Sequence, residues 1–263
     1  MENLNEIITR TIEELVGARD DSAYYRKPIV GFTTADDPGF MELRNTISPN
    51  HFFPEDMLPG ARSVVSFFVP VSEDIALGNI EEKIPSFDYA HVKWAQKGLM
   101  ADIIAGLSVR LKEDGIRCSV NTEGKIPFVL EPPYHPWLQK PIAVMCGVGR
   151  FGINRQIITE SGCAGRLGSV VIDAETEPTG KIEEELCPYF IDKSCGVCVR
   201  NCPVGALGYD CIDRHRCKMQ IHSIHERYNG DKKIVDSCAQ CVALPCATGL
   251  PDKIRDIRAK QGR

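Results

Sequence analysis

Leu4, Ile7, Ile8, Ile12, Leu15 and Val16 recur at three- and four-residue steps, which predicts an amphipathic helix that Gly17 suits as a stop. The period then shortens. "PIVGFTT" (28–34) and "ARSVVSFFVPV" (61–71) are brief runs rich in β-branched and aromatic residues and read as strands. "DDPGFMELRNTISPNHFFPEDMLPG" between them reads as loop with short helical pieces. "FDYAHVKWAQKGLMADIIAGLSVRLKEDG" returns to helical spacing, with Val92, Ala95, Leu99, Ile103 and Leu107 on one face and Gly115 as the terminal stop. "IRCSVN" (116–121), "KPIAVM" (140–145) and "LGSVVID" (167–173) are further predicted strands. The pattern predicts a mixed α/β unit that ends in the polar, acidic stretch "DAETEPTGKIEEE" (173–185).

Composition changes this picture in one respect. The 263 residues are 43% hydrophobic and 25% charged, ordinary for a globular chain with room for one large core or two smaller ones. The formal net charge of -5 lacks the basic excess from which nucleic-acid binders draw phosphate affinity. "MENLNEIITRTIEELVGARD" is acidic and amphipathic, unlike a signal peptide, and no apolar run approaches the ~18 residues of a membrane span, so the expected location is the cytoplasm. What departs from the ordinary is twelve cysteines. In a reducing compartment such a number points to metal or redox chemistry before disulfides. Only Cys118, Cys146 and Cys163 precede residue 180, and these read as buried small hydrophobes.

The other nine crowd together. Cys195-x2-Cys198-x3-Cys202-Pro203 is the last three quarters of the bacterial ferredoxin run C-x2-C-x2-C-x3-C-P. The leading position holds Asp192, and the nearest upstream thiol is Cys187, whose seven-residue loop to Cys195 can fold back onto the same site. In two-cluster ferredoxins the cysteine before the proline binds the other cluster. A second group does follow: Cys217, then Cys238-x2-Cys241-x4-Cys246. Cross-wiring therefore predicts one 4Fe–4S cluster on Cys187, Cys195, Cys198 and Cys246, and a second on Cys202, Cys217, Cys238 and Cys241. Two structural zinc sites are the competing reading, which the Cys-Pro step and the three-residue gap disfavour. Cys211 competes with Cys217, and the helical pattern of "DRHRCKMQIHSIHERY" selects Cys217. His215, His222 and His225 read as helix-surface or packing residues. The predicted class is α+β: a mixed α/β domain (1–182), a two-cluster ferredoxin-like domain (183–250) and a tail (251–263).

"GVGRFG" places Gly147, Gly149 and Gly152 in a G-x-G-x-x-G pattern with Asp173 about 20 residues on, as in a dinucleotide site. That fingerprint opens a substantial helix, and "INRQIITESG" reaches Gly162 too soon for one, so a tight loop is the better reading.

"LPGARSVVSFFVPV", "GVGRFGINRQIITESGCAGRLGSVVID", "CGVCVRNCPVGAL" and "DRHRCKMQIHSI", in order over roughly residues 25 to 250, resemble the epoxyqueuosine reductase family. The resemblance implies a cobalamin-dependent reductase with two 4Fe–4S clusters, in which an α/β domain cradles the corrinoid and a ferredoxin-like domain feeds it electrons. It places "GVGRFGIN", with Gly147, Gly149, Gly152 and Asn154, at the corrinoid. Three departures go with it. The family's proton-donating aspartate is matched by Asn121 in "SVNTEG", which has no titratable proton, leaving Glu123 as the substitute candidate. The family's Lys in "GKN" is Ile153 here. The family often continues past the second cysteine group into helical repeats that help bind transfer RNA, whereas this sequence stops soon after that group, at "LPDKIRDIRAKQGR"; with the negative net charge, nucleic acid is not an expected partner. The expected function is a reductase acting on a small-molecule substrate, with a cluster-only electron carrier for a partner protein as the alternative.

Overall fold

In a computed structural model, which describes residues 3–79, 84–119, 129–130, 133–228, 237–242 and 245–262, the chain opens with helix α1 (Leu4–Gly17). Its first turn closes reciprocally: Glu6 N donates to Asn3 Oδ1 and Asn3 N to Glu6 Oε2, both at 2.9 Å. Strand β1 (Ile29–Thr34), helices α2 (Gly39–Thr46) and α3 (Pro54–Met57), and strand β2 (Ser63–Pro70) follow. Helix α4 (Glu73–Gly78) precedes the long α5 (Phe87–Glu113), whose N-terminus is capped by the Ser86 side chain. Next come the short strands β3 (Val129–Leu130) and β4 (Pro133–Tyr134), helix α6 (Gln139–Met145), the hairpin of β5 (Arg150–Phe151) and β6 (Ile157–Ile158), and strand β7 (Gly165–Ile172). The cysteine-rich part holds α7 (Pro188–Asp192), α8 (Val197–Arg200), α9 (Arg214–Arg227) and α10 (Asp252–Lys260). The class is mixed α+β. Among the described residues no helix is long and apolar enough to cross a membrane.

Strands β1, β2 and β7 form an antiparallel sheet with β2 in the middle, Ser66 lying opposite both Gly31 and Ser169. Every residue of β2 is buried, which is why "SVVSFFVP" shows no polar alternation. Alternate side chains serve two cores. Val65, Phe67 and Val69 join Ile8 and Ile12 of α1 and Leu99, Ile103 and Leu107 of α5. Val64 and Phe68 join Phe40 of α2, Ile142 of α6 and Trp137. Helices therefore cover both faces of the sheet.

Three elements differ from the sequence reading. "KPIAVM" lies in helix α6, not a strand. A six-residue apolar run does not discriminate the two periods, and Pro141 sits in the first helical turn, where no N–H is missed. "IRCSVN" forms no strand over its described residues: Cys118 makes a single bridge to Ile172, and Ser119 N donates to Val171 O at 2.8 Å. On α5 the predicted Ala95 is half-buried, while its polar neighbour Gln96 is fully buried beside Leu99, Ile103 and Leu107. Its Nε2 donates to Val69 O at 3.0 Å, so the sheet satisfies it.

The apolar core continues from α1 and α5 into the cysteine-rich part through Leu186, Leu207, Leu250 and Ile254. Residues 252–260, within the stretch read as a tail, form α10, which Arg258 ties to Glu160 and Glu184 at 2.6 Å each. Arg26 ties the start of the chain to its last turns. Its guanidinium donates to Val71 O (2.8 Å), Thr248 O (2.8 Å) and Ser161 O (2.7 Å). Arg26→Gln leaves carbonyls without donors at about 1–3 kcal/mol. We expect a melting temperature several degrees lower, at about 2–4 °C per kcal/mol for a chain of this size. An unchanged thermal melt would show that water replaces the guanidinium.

Candidate functional site

Cys187 stands immediately before α7, with Pro188 at the first helical position. The helix lasts one turn and stops at Lys193, whose left-handed φ of 63° reverses the chain towards Cys195. Cys198 lies in α8. These three thiols and Cys246 border one small cavity of about 20 Å³, closed by Ile153, Ile158 and Pro245. Burial pushes the Cys198 thiol up to about 12, and Cys246, Cys187 and Cys195 push in the same direction, so the four sulfurs feel one another. Burial also raises Cys187, against which the backbone amides of Ile153, Tyr189 and Phe190 act as donors. Asp192, at the vacant ferredoxin position, pairs instead with Lys253 of α10, which holds its carboxyl down to about 2.

The second group gathers beside the N-terminus of α6. Cys202 Sγ accepts from Ala206 N (3.2 Å) and Leu207 N (3.4 Å). Cys217 projects from the first turns of α9, raised by burial and then by Cys202. Cys238 is raised by burial and by Cys217 and Cys202, while the Gln240 amide and the Gln220 side chain oppose the shift. Burial, then Cys238, pushes Cys241 up to about 12, with Lys140 opposing. All four thiols border a second cavity of about 1410 Å³, walled further by Trp137, Phe151 and Lys140. Cys211 is exposed on the turn beside the Leu207–Ile212 bridge and also edges this cavity.

Asn154 and Cys163 stand at the partition. Asn154 borders both cavities, and its Nδ2 donates to Cys241 O at 3.1 Å and towards Cys163 Sγ at 3.6 Å. Cys163 borders the large cavity, and a hydrogen bond between its side chain and Cys246, followed by burial, pushes Cys246 well up. The sequence reading passed over Cys163 because a single buried thiol before a strand carries no ligand spacing. The glycines of "GVGRFG" have protein against them. A Cβ on Gly147 would meet Gly180 O at 2.1 Å, one on Gly149 would meet Ile158 O at 2.3 Å, and one on Gly152 would meet Asn154 Oδ1 at 2.7 Å. Close packing within the β5–β6 hairpin requires Gly149 and Gly152, and the approach of the Gly180 backbone requires Gly147. It is Phe151, Asn154, Arg155 and Gln156 of this hairpin that face the large cavity. The segment is a hairpin and opens no helix, as the rejection of a dinucleotide site requires. Asn121 and Glu123 lie outside the described residues.

Two sets of four thiols are compatible with iron–sulfur groups, whose irons would displace the thiol protons. Among the described residues no three His, Cys, Asp or Glu side chains are placed to hold a single metal ion; the sulfurs surround a space. The large cavity exceeds the ~300–1,000 Å³ of a typical small-ligand pocket and is bordered by the second sulfur set.

No family model and no curated protein matches the chain. Solved structures do. Epoxyqueuosine reductase from Streptococcus thermophilus superposes with a TM-score of 0.58 at 18% identity, over 95% of this chain and 68% of that one. The Bacillus subtilis enzyme gives 0.56 at 18% identity, over 93% and 67%. Epoxyqueuosine reductase with an epoxyqueuosine-modified tRNA stem loop gives 0.56 at 19% identity, over 91% and 66%. The chain thus has the epoxyqueuosine reductase fold and spans about two thirds of the length of these structures.

Proposed function

We propose that this chain, folded like epoxyqueuosine reductase, is an iron–sulfur reductase that acts on a small molecule in the large cavity. In this reading Cys187, Cys195, Cys198 and Cys246 hold one 4Fe–4S cluster, and Cys202, Cys217, Cys238 and Cys241 hold the other. The clusters supply one-electron chemistry when bound, and the large cavity gives a corrinoid room beside the second set. The protein's own work is threefold. The amides of Ala206 and Leu207 donate to Cys202 Sγ, the kind of hydrogen bond that sets a cluster's potential. Asn154 and Cys163 hold the two sulfur sets in fixed register. Tyr89, Trp137 and Phe151 supply an apolar wall to the cavity.

The observation that carries the proposal is the second sulfur set opening onto that cavity. A cluster-only carrier needs an exposed cluster edge and no such space. Anaerobic reconstitution with iron and sulfide is expected to load about eight irons per chain. Added cobalamin should then shift the visible spectrum of the loaded protein. Stoichiometric zinc without thiolate-to-iron absorbance would overturn the cluster reading; full iron with no response to cobalamin would leave a reductase that works without a corrinoid.

A further inference from the structure

Among the described residues, the large cavity is bordered by basic side chains that face the four thiols of the second set. Among the described residues bordering it, Lys93, Lys140, Arg155, Arg166 and Arg214 are cationic and none is Asp or Glu. Over the whole chain acids outnumber bases by 36 to 31, so this wall is a local reversal. Part of the charge is committed to the scaffold: Lys93 Nζ donates to Gln96 Oε1 (2.9 Å) and Gly165 O (2.6 Å). Arg155, Lys140 and Arg214 form a closer group. Lys140 Nζ donates to Arg155 O at 2.8 Å. Arg155 takes a left-handed φ of 59°, sparse for a residue with a Cβ, and its Nη2 donates to Asp210 O at 2.7 Å. Arg214 stands in the first turn of α9; Lys140 is lowered chiefly by burial, Cys241, Cys163 and Cys217 oppose that shift, and the nearby Arg214 adds to it.

Cations gathered in a concave wall of low polarity focus their field on whatever enters it. We propose that the small molecule taken by this cavity carries an oxyanion, a carboxylate or a phosphate ester, met by Arg214, Arg155 and Lys140, with its apolar part against Trp137 and Phe151. The proposal rests on the reductase reading and names the substrate class of that same site. A small anion is favoured over RNA because the cations border one concave wall, with Arg214 exposed at its edge, in a chain with net charge -5, whereas polynucleotide affinity draws on many phosphate contacts.

The test is calorimetric titration of the anaerobically reconstituted full chain with phenyl phosphate, benzoate and the neutral benzamide. Both anions are expected to bind at least about tenfold more tightly than benzamide, as charged hydrogen bonds allow. Arg214→Gln should weaken the anions about tenfold while leaving iron content and benzamide binding at wild-type levels. Lys140→Met gives an independent second reading of the same loss. Equal binding of all three probes, no binding of any, or an unchanged Arg214→Gln would overturn the proposal. So would iron loss in Arg214→Gln, which would assign the cations to the sulfur set, or tighter binding of an RNA stem loop lost in the same variant. Wild-type protein without iron would sink the reductase reading, while the titration would still decide the cavity.

Discussion

Cys187→Ser is expected to halve the iron content, from about eight to about four per chain, with the remaining iron in the second sulfur set. The asymmetry comes from geometry. Cys187 borders the small cavity with Cys195, Cys198 and Cys246, and among the described residues no charged side chain borders that cavity to take over as a ligand. Asp192, the residue at the usual ferredoxin position, is turned away to Lys253. Cys217→Ser should remove the other half, because Cys217 is coupled to Cys202 and Cys238. Cys211→Ser, at an exposed turn, should keep all of it. Iron and acid-labile sulfide analysis reads all three variants. Loss of iron in Cys211→Ser with full iron in Cys217→Ser would reverse the assignment in the second set.

Gly162→Val should cost both stability and the first set, although residue 162 is no ligand. Gly162 has φ +82°, and a Cβ there would lie 2.4 Å from Ala247 O and 2.5 Å from Gly249 N. Left-handed strain and overpacking together amount to about 2–5 kcal/mol. The clash falls where Cys163 N donates to Cys246 O (2.9 Å) and Ala164 N to Ala247 O (2.9 Å), the bonds that hold Cys246 over the cavity. The expected outcome is a melting temperature lower by roughly 10 °C and iron reduced to the second set. Gly17→Ala, with nothing within 4 Å of its Cβ, is the near-silent control. Full iron and an unchanged melt in Gly162→Val would show that the 246–250 segment is held by other contacts.

Asn154 and the glycines before it show how far a motif can be read along the chain. "GVGRFG" is recognisable as a tight glycine loop, but its purpose is not, because the groups that forbid a Cβ at Gly147 and Gly149 are the carbonyls of Gly180 and Ile158. Of this hairpin, Asn154 reaches both cavities through a position the glycine spacing does not mark.

The sequence by itself determined what is local. Helices α1, α5 and α9 follow from helical spacing and strands β1, β2 and β7 from short runs of β-branched and aromatic residues, because these signals are written in each element's own residues. The thiol spacing from Cys195 to Cys202, and the need for thiols from outside it, are equally local. Tertiary structure alone decided what depends on distant partners. "KPIAVM" became helix α6 because its short apolar run packs against β2 and β7. Cys163 met Cys246, and the cations of α6, the β5–β6 hairpin and α9 converged on one cavity. Arg26 found its carbonyl 222 residues away at Thr248. The physical reason is the sheet: β2 pairs with both β1 and β7, and that pairing brings chain ends together whose residues carry no mark of one another.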